Sequence, residues 1–308
     1  MSETAHTGDE TPIAKVLLLL FVGLLTFGFA PILVRFATDV EPLVLAALRT
    51  GFAVLLLTPF WFWKKKPIGQ LKQYGVHHWM LIAAGIALGL HFSLWIASLH
   101  YTSVASASVL VTMHPVMLIV AERLLFKRIF APVIWVGVLL SFFGSALLGL
   151  ADDAGLEQFP NALLGNGLAF SAAILFVVYF LFGRKIRQHA EWIDYVYYVY
   201  GYAALTCIIG AFFWVGGWPA ISTTGWVVGF LLAAGPTILG HGSMNYAVKY
   251  VSPTLLSTLI LSEVVFAAIV AYFLFQEVPT TLSFAAMAII LFGVSLTWLK
   301  RTKTMRKR

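Results

Sequence analysis

Charge and cysteine are both scarce in this sequence. Charged residues make up 11% of the 308 positions, against about 25% in ordinary soluble domains, while 60% of the residues are hydrophobic and the mean hydropathy is +0.91. So few charges cannot cover a surface that faces water, which excludes an ordinary soluble protein and favours lipid as the main solvent. The single cysteine, Cys207, excludes a disulfide framework and a cysteine-based metal site.

The signatures of common enzymes are also missing from the sequence. It contains no HExxH, GxSxG or Walker motif and no glycine-rich phosphate loop. His77 and His78 are adjacent, but neighbouring side chains diverge on a helix, so they do not predict a metal site. We therefore expect a protein that is not an enzyme and uses no cofactor. Without an ATP site, uphill transport would draw on an ion or substrate gradient, and proton coupling is one such source.

The net charge of +7 comes from basic residues that stand at the ends of apolar runs. Examples are Lys64–Lys66, Lys127 with Arg128, and the tail Lys300–Arg308. Cytoplasmic loops beside membrane spans are typically rich in lysine and arginine. This placement predicts a lipid bilayer as the partner of these residues and no binding of nucleic acid.

Apolar stretches recur along the chain at the length that crosses a bilayer as a helix, about 20 residues. Helices are expected because lipid offers the backbone no hydrogen-bond partner. The ten predicted spans are Lys15–Thr38, Pro42–Trp63, His78–His100, Val104–Phe126, Pro132–Leu150, Leu163–Arg184, Tyr195–Val215, Gly225–Lys249, Pro253–Phe275 and Leu282–Leu299.

The charges of the loops predict the orientation of the chain. With the N-terminus inside, the basic loops are cytoplasmic and acidic residues such as Asp39, Glu41 and Asp152 lie outside, so both termini are cytoplasmic. The predicted organisation is a disordered tail at 1–12, a first repeat at 13–150, an extracytoplasmic linker at 151–160, a second repeat at 161–299 and a basic tail at 300–308.

The two halves of the chain repeat one another. A shift of 149 residues aligns Tyr101 with Tyr250 and continues without a gap to Leu150 and Leu299. Five spans per repeat is an odd number, so the second copy must insert upside down. The predicted fold class is an all-α membrane protein of ten transmembrane helices in two inverted five-helix repeats. Half-chain repeats of this kind are typical of secondary transporters.

Two ionisable residues align near the centres of the fourth and ninth spans, His114 and Glu263. A charge at membrane depth costs roughly 2.5–3.5 kcal/mol on insertion scales, and such groups usually face a cavity or a partner. The functional interpretation is a site at the middle of the membrane where one group binds substrate or titrates. The alternative is a hydrogen-bonded packing residue. Pro115 removes a backbone donor and permits a kink beside His114.

Further polar residues could line the same site. His91 and Trp95 are four apart on the third span, and a register shifted by one residue aligns them with His241 and Asn245 on the eighth span. They either line a cavity or join helices by polar contacts. Arg49 lies about two turns inside the second span, where it could attract a substrate anion or pair with an acid. Glycines on the fifth and tenth spans suit close helix contact, within one chain or in a homodimer, so the chain is predicted to be a monomer or homodimer.

The sequence resembles the EamA-type repeats of the drug/metabolite transporter superfamily. The residues that carry the resemblance are WIASLHYTSVASASVLVTMHPVMLIVAERLLFKRI in the first copy and NYAVKYVSPTLLSTLILSEVVFAAIVAYFLFQEVP in the second. Pro115 matches the usual proline of the fourth span, and Arg49 matches a frequent basic position. The usual Glu-Pro of the ninth span is Glu263-Val264 here, so the acid is present without the proline.

The resemblance implies a multi-pass carrier of the bacterial inner membrane, with a central cavity lined by the first, third, fourth, sixth, eighth and ninth spans. We therefore expect an alternating-access exporter of a small-molecule substrate, an amino acid or a related compound. Its predicted substrate-binding residues are His91, Trp95, His114, His241, Asn245, Glu263 and Arg49. Two alternatives remain: an exchanger of anionic or nucleotide-linked metabolites that uses Arg49 and Lys249, and a membrane receptor or scaffold that transports nothing.

Overall fold

The computed structural model describes residues 13–64, 72–102, 104–151, 160–217, 219–263, 265–266, 270, 273 and 280–299. Within these ranges the regular structure is helical, and no strand occurs. The predicted tails at 1–12 and 300–308 lie outside the described residues, as does most of the predicted linker.

The helices follow the apolar stretches of the sequence closely. In the first half they are α1 (Ile13–Arg35), α2 (Pro42–Lys64), α3 (His78–Tyr101), α4 (Val104–Val111), α5 (His114–Leu125) and α6 (Pro132–Ala151). In the second half they are α7 (Ala162–Arg187), α8 (Trp192–Val215), α9 (Thr223–Leu232), a π-helical segment (Ala233–His241), α10 (Gly242–Ala247), α11 (Pro253–Ile260) and α12 (Thr281–Leu299).

Eight helical stretches in the described part of the chain are long and apolar enough to cross a membrane. One of them, Ser106–Leu125, joins most of α4 to α5, and another, Thr223–Ala247, runs from α9 to α10. The fifth predicted span corresponds to α6, whose apolar part is shorter. The ninth predicted span begins with α11 and continues largely outside the described residues. The chain is therefore an all-helical, multi-pass membrane protein, while the count of ten spans and the orientation stay predictions.

Local sequence signals explain several helix ends. Proline occupies the first position of α2, α6 and α11, where its missing N–H costs no helical hydrogen bond. Ser222 and Ser252 cap the starts of α9 and α11, each accepting a hydrogen bond from the backbone three residues later. Gly216, with φ of 75°, ends α8 in the left-handed conformation that glycine adopts without strain.

The main helix pairs map onto one another when the two repeats are exchanged. α3 packs against α7, and the equivalent pair in the exchanged repeats is the π-helical segment with α1. α2 packs against α8, and α6 packs against α12. In each of these two pairs the helices are equivalent members of the two repeats, so exchange of the repeats gives the same pair. This correspondence is what two copies related by a two-fold axis would produce.

The contact between α6 and α12 depends on glycine. A Cβ added to Gly293 would lie 2.6 Å from the Ser141 nitrogen and 2.7 Å from the Gly137 carbonyl oxygen, and one added to Gly144 would lie 2.9 Å from the Ile290 nitrogen in α12. Only glycine lets the two backbones approach this closely. The glycines that suggested a dimer face are therefore used for packing inside one chain.

We expect Gly293→Ala to destabilise the protein by about 1–3 kcal/mol, because backbone atoms of α6 would have to move to admit the methyl group. Thermal unfolding of the purified protein in detergent, followed by tryptophan fluorescence, measures the effect. Gly201→Ala is the matched control, since an added Cβ at Gly201 meets nothing within 4 Å. Equal melting temperatures for the two variants would contradict the close contact.

Candidate functional site

Two helix breaks at equivalent positions form the centre of the candidate site. The fourth span is interrupted at Thr112–Met113, between α4 and α5, and the ninth span is interrupted at Leu261–Ser262, after α11. The two breaks are 149 residues apart, which is the offset of the repeat. Each break is followed at once by the ionisable residue that the sequence singled out, His114 or Glu263.

Hydroxyl groups take part in both breaks. The Thr112 hydroxyl donates to the Ser108 carbonyl oxygen at 2.6 Å, and the Ser262 hydroxyl donates to the Leu259 carbonyl oxygen at 2.5 Å. Such bonds back to the preceding turn compete with the helical pattern and bend helices. Pro115 adds to the break in the fourth span, where its position permits a kink. The ninth span breaks without a proline, so the sequence signal there was incomplete.

The eighth span contains the π-helical segment Ala233–His241. This segment lies next to the place where the alignment of the two repeats shifts by one residue. A π turn holds one residue more than an α turn, so a helix can absorb an offset of that size locally. Its counterpart in the first repeat is the regular helix α3. π turns are frequent at functional sites, and here the segment ends at His241, one of the predicted site residues.

A cavity lies at these breaks, between helices of both repeats. About 60 Å³ of it is open to the centres of water molecules, room for a few waters at the usual ~10–15 Å³ each. Its described lining residues are Phe27, Ala30, Arg49, His91, Phe92, Trp95, Val111, Thr112, His114, Phe176, His241, Ile260 and Glu263. The cavity therefore combines a largely apolar wall with a guanidinium group, a carboxyl group and imidazoles.

Six of the seven residues predicted from the sequence to form the site lie on this one cavity. They are Arg49, His91, Trp95, His114, His241 and Glu263. The second span contributes through Arg49, in addition to the six spans that the family resemblance implied. Asn245 is not among the described lining residues. It is fully buried in a hydrogen-bonded cluster with Tyr179 and Tyr200.

Phenylalanines that the sequence did not single out form much of the wall. Phe176 stacks on His114 with ring centroids 4.5 Å apart, and Phe27 and Phe92 each present an edge contact to His241 at 4.9 Å. Phe27 and Phe176 are 149 residues apart. Extending the repeat register into the first and sixth spans would have revealed this pair.

The three imidazoles differ in their hydrogen bonds. His91 Nδ1 lies 2.9 Å from the Ala172 carbonyl oxygen, which can only accept, so this nitrogen carries a proton. The Nδ1 atoms of His114 and His241 are buried without a partner in the described part of the chain. Unpaired buried nitrogens are costly. Water or a ligand in the adjoining cavity is the natural partner for these rings.

Arg49 is the most buried charged group of the cavity, with 2% of its surface exposed. Its Nε donates to the Thr237 hydroxyl at 2.6 Å, and its Cζ lies 3.8 Å from the centre of the Phe92 ring. It forms no ion pair with any acidic residue that the structure describes. The interpretation of Arg49 as one half of an internal salt bridge is therefore not supported by any acidic residue that the structure describes.

A chain of hydrogen bonds continues from Arg49 away from the cavity. The Tyr200 hydroxyl donates to the Thr237 carbonyl oxygen at 3.0 Å, and the Asn245 amide donates to the Tyr200 hydroxyl at 3.3 Å. The Tyr179 hydroxyl donates to Asn245 at 2.5 Å. This network fixes the π-helical segment and holds Asn245 in place, which explains why Asn245 acts as a support rather than as a wall of the cavity.

Both halves of the chain match a family of known transporters, the EamA-like transporter family, over residues 14–150 and 163–299. The chain belongs to the EamA-like transporter family. A relative from Archaeoglobus fulgidus, described as an uncharacterized transporter, is 28% identical over 262 residues, which cover 84% of this chain and 87% of that protein. A solved crystal structure has the same fold at 18% identity, with a TM-score of 0.75 over 92% of this chain and 96% of that one.

Membership of the EamA-like family confirms the resemblance inferred from the sequence and the coarse function, a membrane transporter. The helical fold and the apolar spans confirm a multi-pass integral membrane protein. The Archaeoglobus relative shows that similar proteins are not confined to bacteria. The substrate and the direction of transport stay predictions.

The two repeats of this EamA-like transporter are joined at the end of the cavity helices that is predicted to be cytoplasmic. Glu122, at the end of α5, accepts hydrogen bonds from the Thr254 N–H at 2.9 Å and from the Thr254 hydroxyl at 2.6 Å. Thr254 lies in the first turn of α11, so the carboxylate also complements the positive end of that helix. Arg128 Nη1 donates to the other carboxylate oxygen at 2.7 Å.

We expect Glu122→Gln to destabilise the EamA-like transporter by about 1–3 kcal/mol, because a buried carboxylate with three donors becomes a neutral amide. The measurement is the melting temperature in detergent. Glu41→Gln provides the control, since Glu41 is exposed outside the helices. A melting temperature that Glu122→Gln does not lower would show that the cross-repeat contact contributes nothing to stability.

Proposed function

We propose that this EamA-like transporter is a secondary carrier that exports a small metabolite, an amino acid or a related compound, by alternating access between two inverted repeats. The observation that carries the proposal is the cavity, where both repeats contribute polar groups at matching helix breaks. In a carrier of this design the substrate site lies at the interface of the repeats, on interrupted helices.

The packing supports the alternating-access part of the proposal. Exchange of the two repeats maps the main helix pairs onto one another, so a rearrangement that opens one end of the cavity would have an equivalent that opens the other end. The Glu122–Thr254 contact joins the two repeats at the end that is predicted to be cytoplasmic. Release of this contact, together with closure at the opposite end, would expose the cavity to the cytoplasm.

The direction and the location of the carrier follow from the resemblance and from the charge of the loops. We propose ten spans in the bacterial inner membrane, with both termini cytoplasmic, and export as the direction. A gradient must supply the energy for uphill movement. Glu263 is the acidic residue of the described cavity wall and therefore the group through which proton coupling would act.

The alternative of an anion or nucleotide-linked exchanger has less support. This alternative requires Arg49 and Lys249 to bind the anion together. Lys249, however, is exposed in the turn after α10 and is not part of the described cavity wall. A cavity that also contains a carboxyl group repels a multiply charged anion. A receptor or scaffold would need no passage, and solute counterflow in liposomes distinguishes it from a carrier.

We expect Glu263→Gln and His114→Ala to reduce transport by about tenfold or more, which corresponds to the loss of a single polar contact of ~1.4 kcal/mol. Counterflow of radiolabelled amino acids into proteoliposomes measures the flux. Glu41→Gln and His100→Ala are matched controls, because both residues are exposed and are not described as part of the cavity wall. Normal flux in both cavity variants, with folded protein confirmed by size-exclusion chromatography, would remove these residues from the site.

A further inference from the structure

We infer that the cavity, once widened beyond the few-water volume described above, binds its substrate as a zwitterion, with the substrate carboxylate on Arg49, its ammonium group at Glu263 and an apolar side chain against the phenylalanine wall. This inference rests on the proposed function and assigns a separate role to each end of the site. The substrate class is then the free α-amino acids with apolar side chains, rather than amines, organic acids or phosphorylated compounds.

Arg49 has the properties of a carboxylate receptor. Its guanidinium is buried, yet no acidic residue in the described ranges pairs with it. Nε is held by Thr237, and the remaining N–H donors make no hydrogen bond with a described residue. A buried charge without a counter-charge is strongly unfavourable, and a guanidinium fork matches the two oxygens of a carboxylate. A ligand carboxylate would complete this half-satisfied group.

The Thr237 contact also fixes the orientation of the guanidinium. The Thr237 hydroxyl donates to the Leu232 carbonyl oxygen at 2.9 Å, so its free lone pair is available for Arg49 Nε. Phe92 covers one side of the guanidinium plane. With Nε and that side occupied, the Nη donors are left for a ligand. Preorganisation of this kind lowers the entropy lost on binding.

Glu263 is the complementary group on the same cavity. It is half-buried, and in the described part of the chain it has neither an ion pair nor a hydrogen bond. Arg49 and Glu263 therefore line one cavity without neutralising each other directly. A zwitterion placed between them supplies a positive charge to one and a negative charge to the other. A simple anion would leave Glu263 unpaired, and a simple cation would leave Arg49 unpaired.

The rest of the described wall determines the kind of side chain. Phe27, Phe92 and Phe176 contribute aromatic faces, and Val111 and Ile260 contribute aliphatic groups at equivalent positions of the two repeats. Described residues offer no second acid or guanidinium to bind a charged side chain. An apolar side chain loses little on leaving water for such a wall and gains hydrophobic stabilisation.

The test compares three compounds that share one side chain: leucine, isopentylamine, which lacks the carboxylate, and isocaproate, which lacks the amine. Binding to the purified protein is measured as ligand-induced thermal stabilisation, which is independent of transport. We expect leucine to bind about tenfold or more tightly than either analogue. Phenylalanine and methionine provide parallel series with other apolar side chains. Each is compared with the amine that lacks its carboxylate and with the acid that lacks its amino group.

Two variants test which residue binds the carboxylate of the ligand and which binds its ammonium group. In Arg49→Gln the amine should bind as well as the amino acid, because the carboxylate has lost its partner. In Glu263→Gln the acid should bind as well as the amino acid. Arg49→Lys keeps the charge without the fork and should retain part of the preference, which covers the case in which Arg49→Gln does not fold. Arg35→Gln and Glu41→Gln, both exposed substitutions, should leave the preference unchanged.

The inference is overturned if an amine, an acid or inorganic phosphate stabilises the wild-type protein as well as the amino acid does, or if no apolar amino acid stabilises it. These results leave the proposed function intact whenever counterflow of some other solute is observed. Conversely, selective binding of amino acids with no counterflow of any solute would support the zwitterion site and reject the carrier. The two hypotheses therefore fail by different measurements.

Discussion

A polar group inside a membrane must find its partner within the protein, because lipid tails offer no hydrogen bonds. This constraint explains most of what the described structure shows. Backbone groups are satisfied by helices, and carbonyl oxygens at or beside the breaks and the π-helical segment accept further hydrogen bonds from the side chains of Thr112, Ser262, Tyr200 and Trp192. The Tyr195 hydroxyl is buried without a partner elsewhere in the described part of the chain, but the unpaired Nδ1 atoms of His114 and His241 adjoin one cavity together with Arg49 and Glu263. Their concentration there is the physical basis for regarding the cavity as the site.

The same constraint decided which parts of the site could be predicted from the sequence. Ionisable residues are rare in these spans, so His91, His114, His241, Glu263 and Arg49 stood out against an apolar background. Phe27, Phe92 and Phe176 did not, because the chain contains 25 phenylalanines and most of them need no explanation beyond packing or lipid contact. A wall made of common residues is visible only when the helices are assembled.

Asn245 and the break in the ninth span show where local reasoning was insufficient. Asn245 was placed by its alignment with Trp95, but its amide pairs with Tyr179 and Tyr200, which come from helices that the alignment does not include. The break at Leu261–Ser262 was unexpected without proline, and it coincides with a short hydrogen bond from the Ser262 hydroxyl. The glycines of α6 and α12 indicated a close contact, yet only the assembled fold showed that the partner belongs to the same chain.

The matching breaks in the fourth and ninth spans have a consequence for how the two halves could diverge. The first residue after each break reaches the cavity in both copies, although it carries an imidazole at one break and a carboxyl group at the other. After duplication, substitution at these two positions could change the cargo while the surrounding helices kept their packing. The same arrangement of helices could in this way bind chemically distinct solutes.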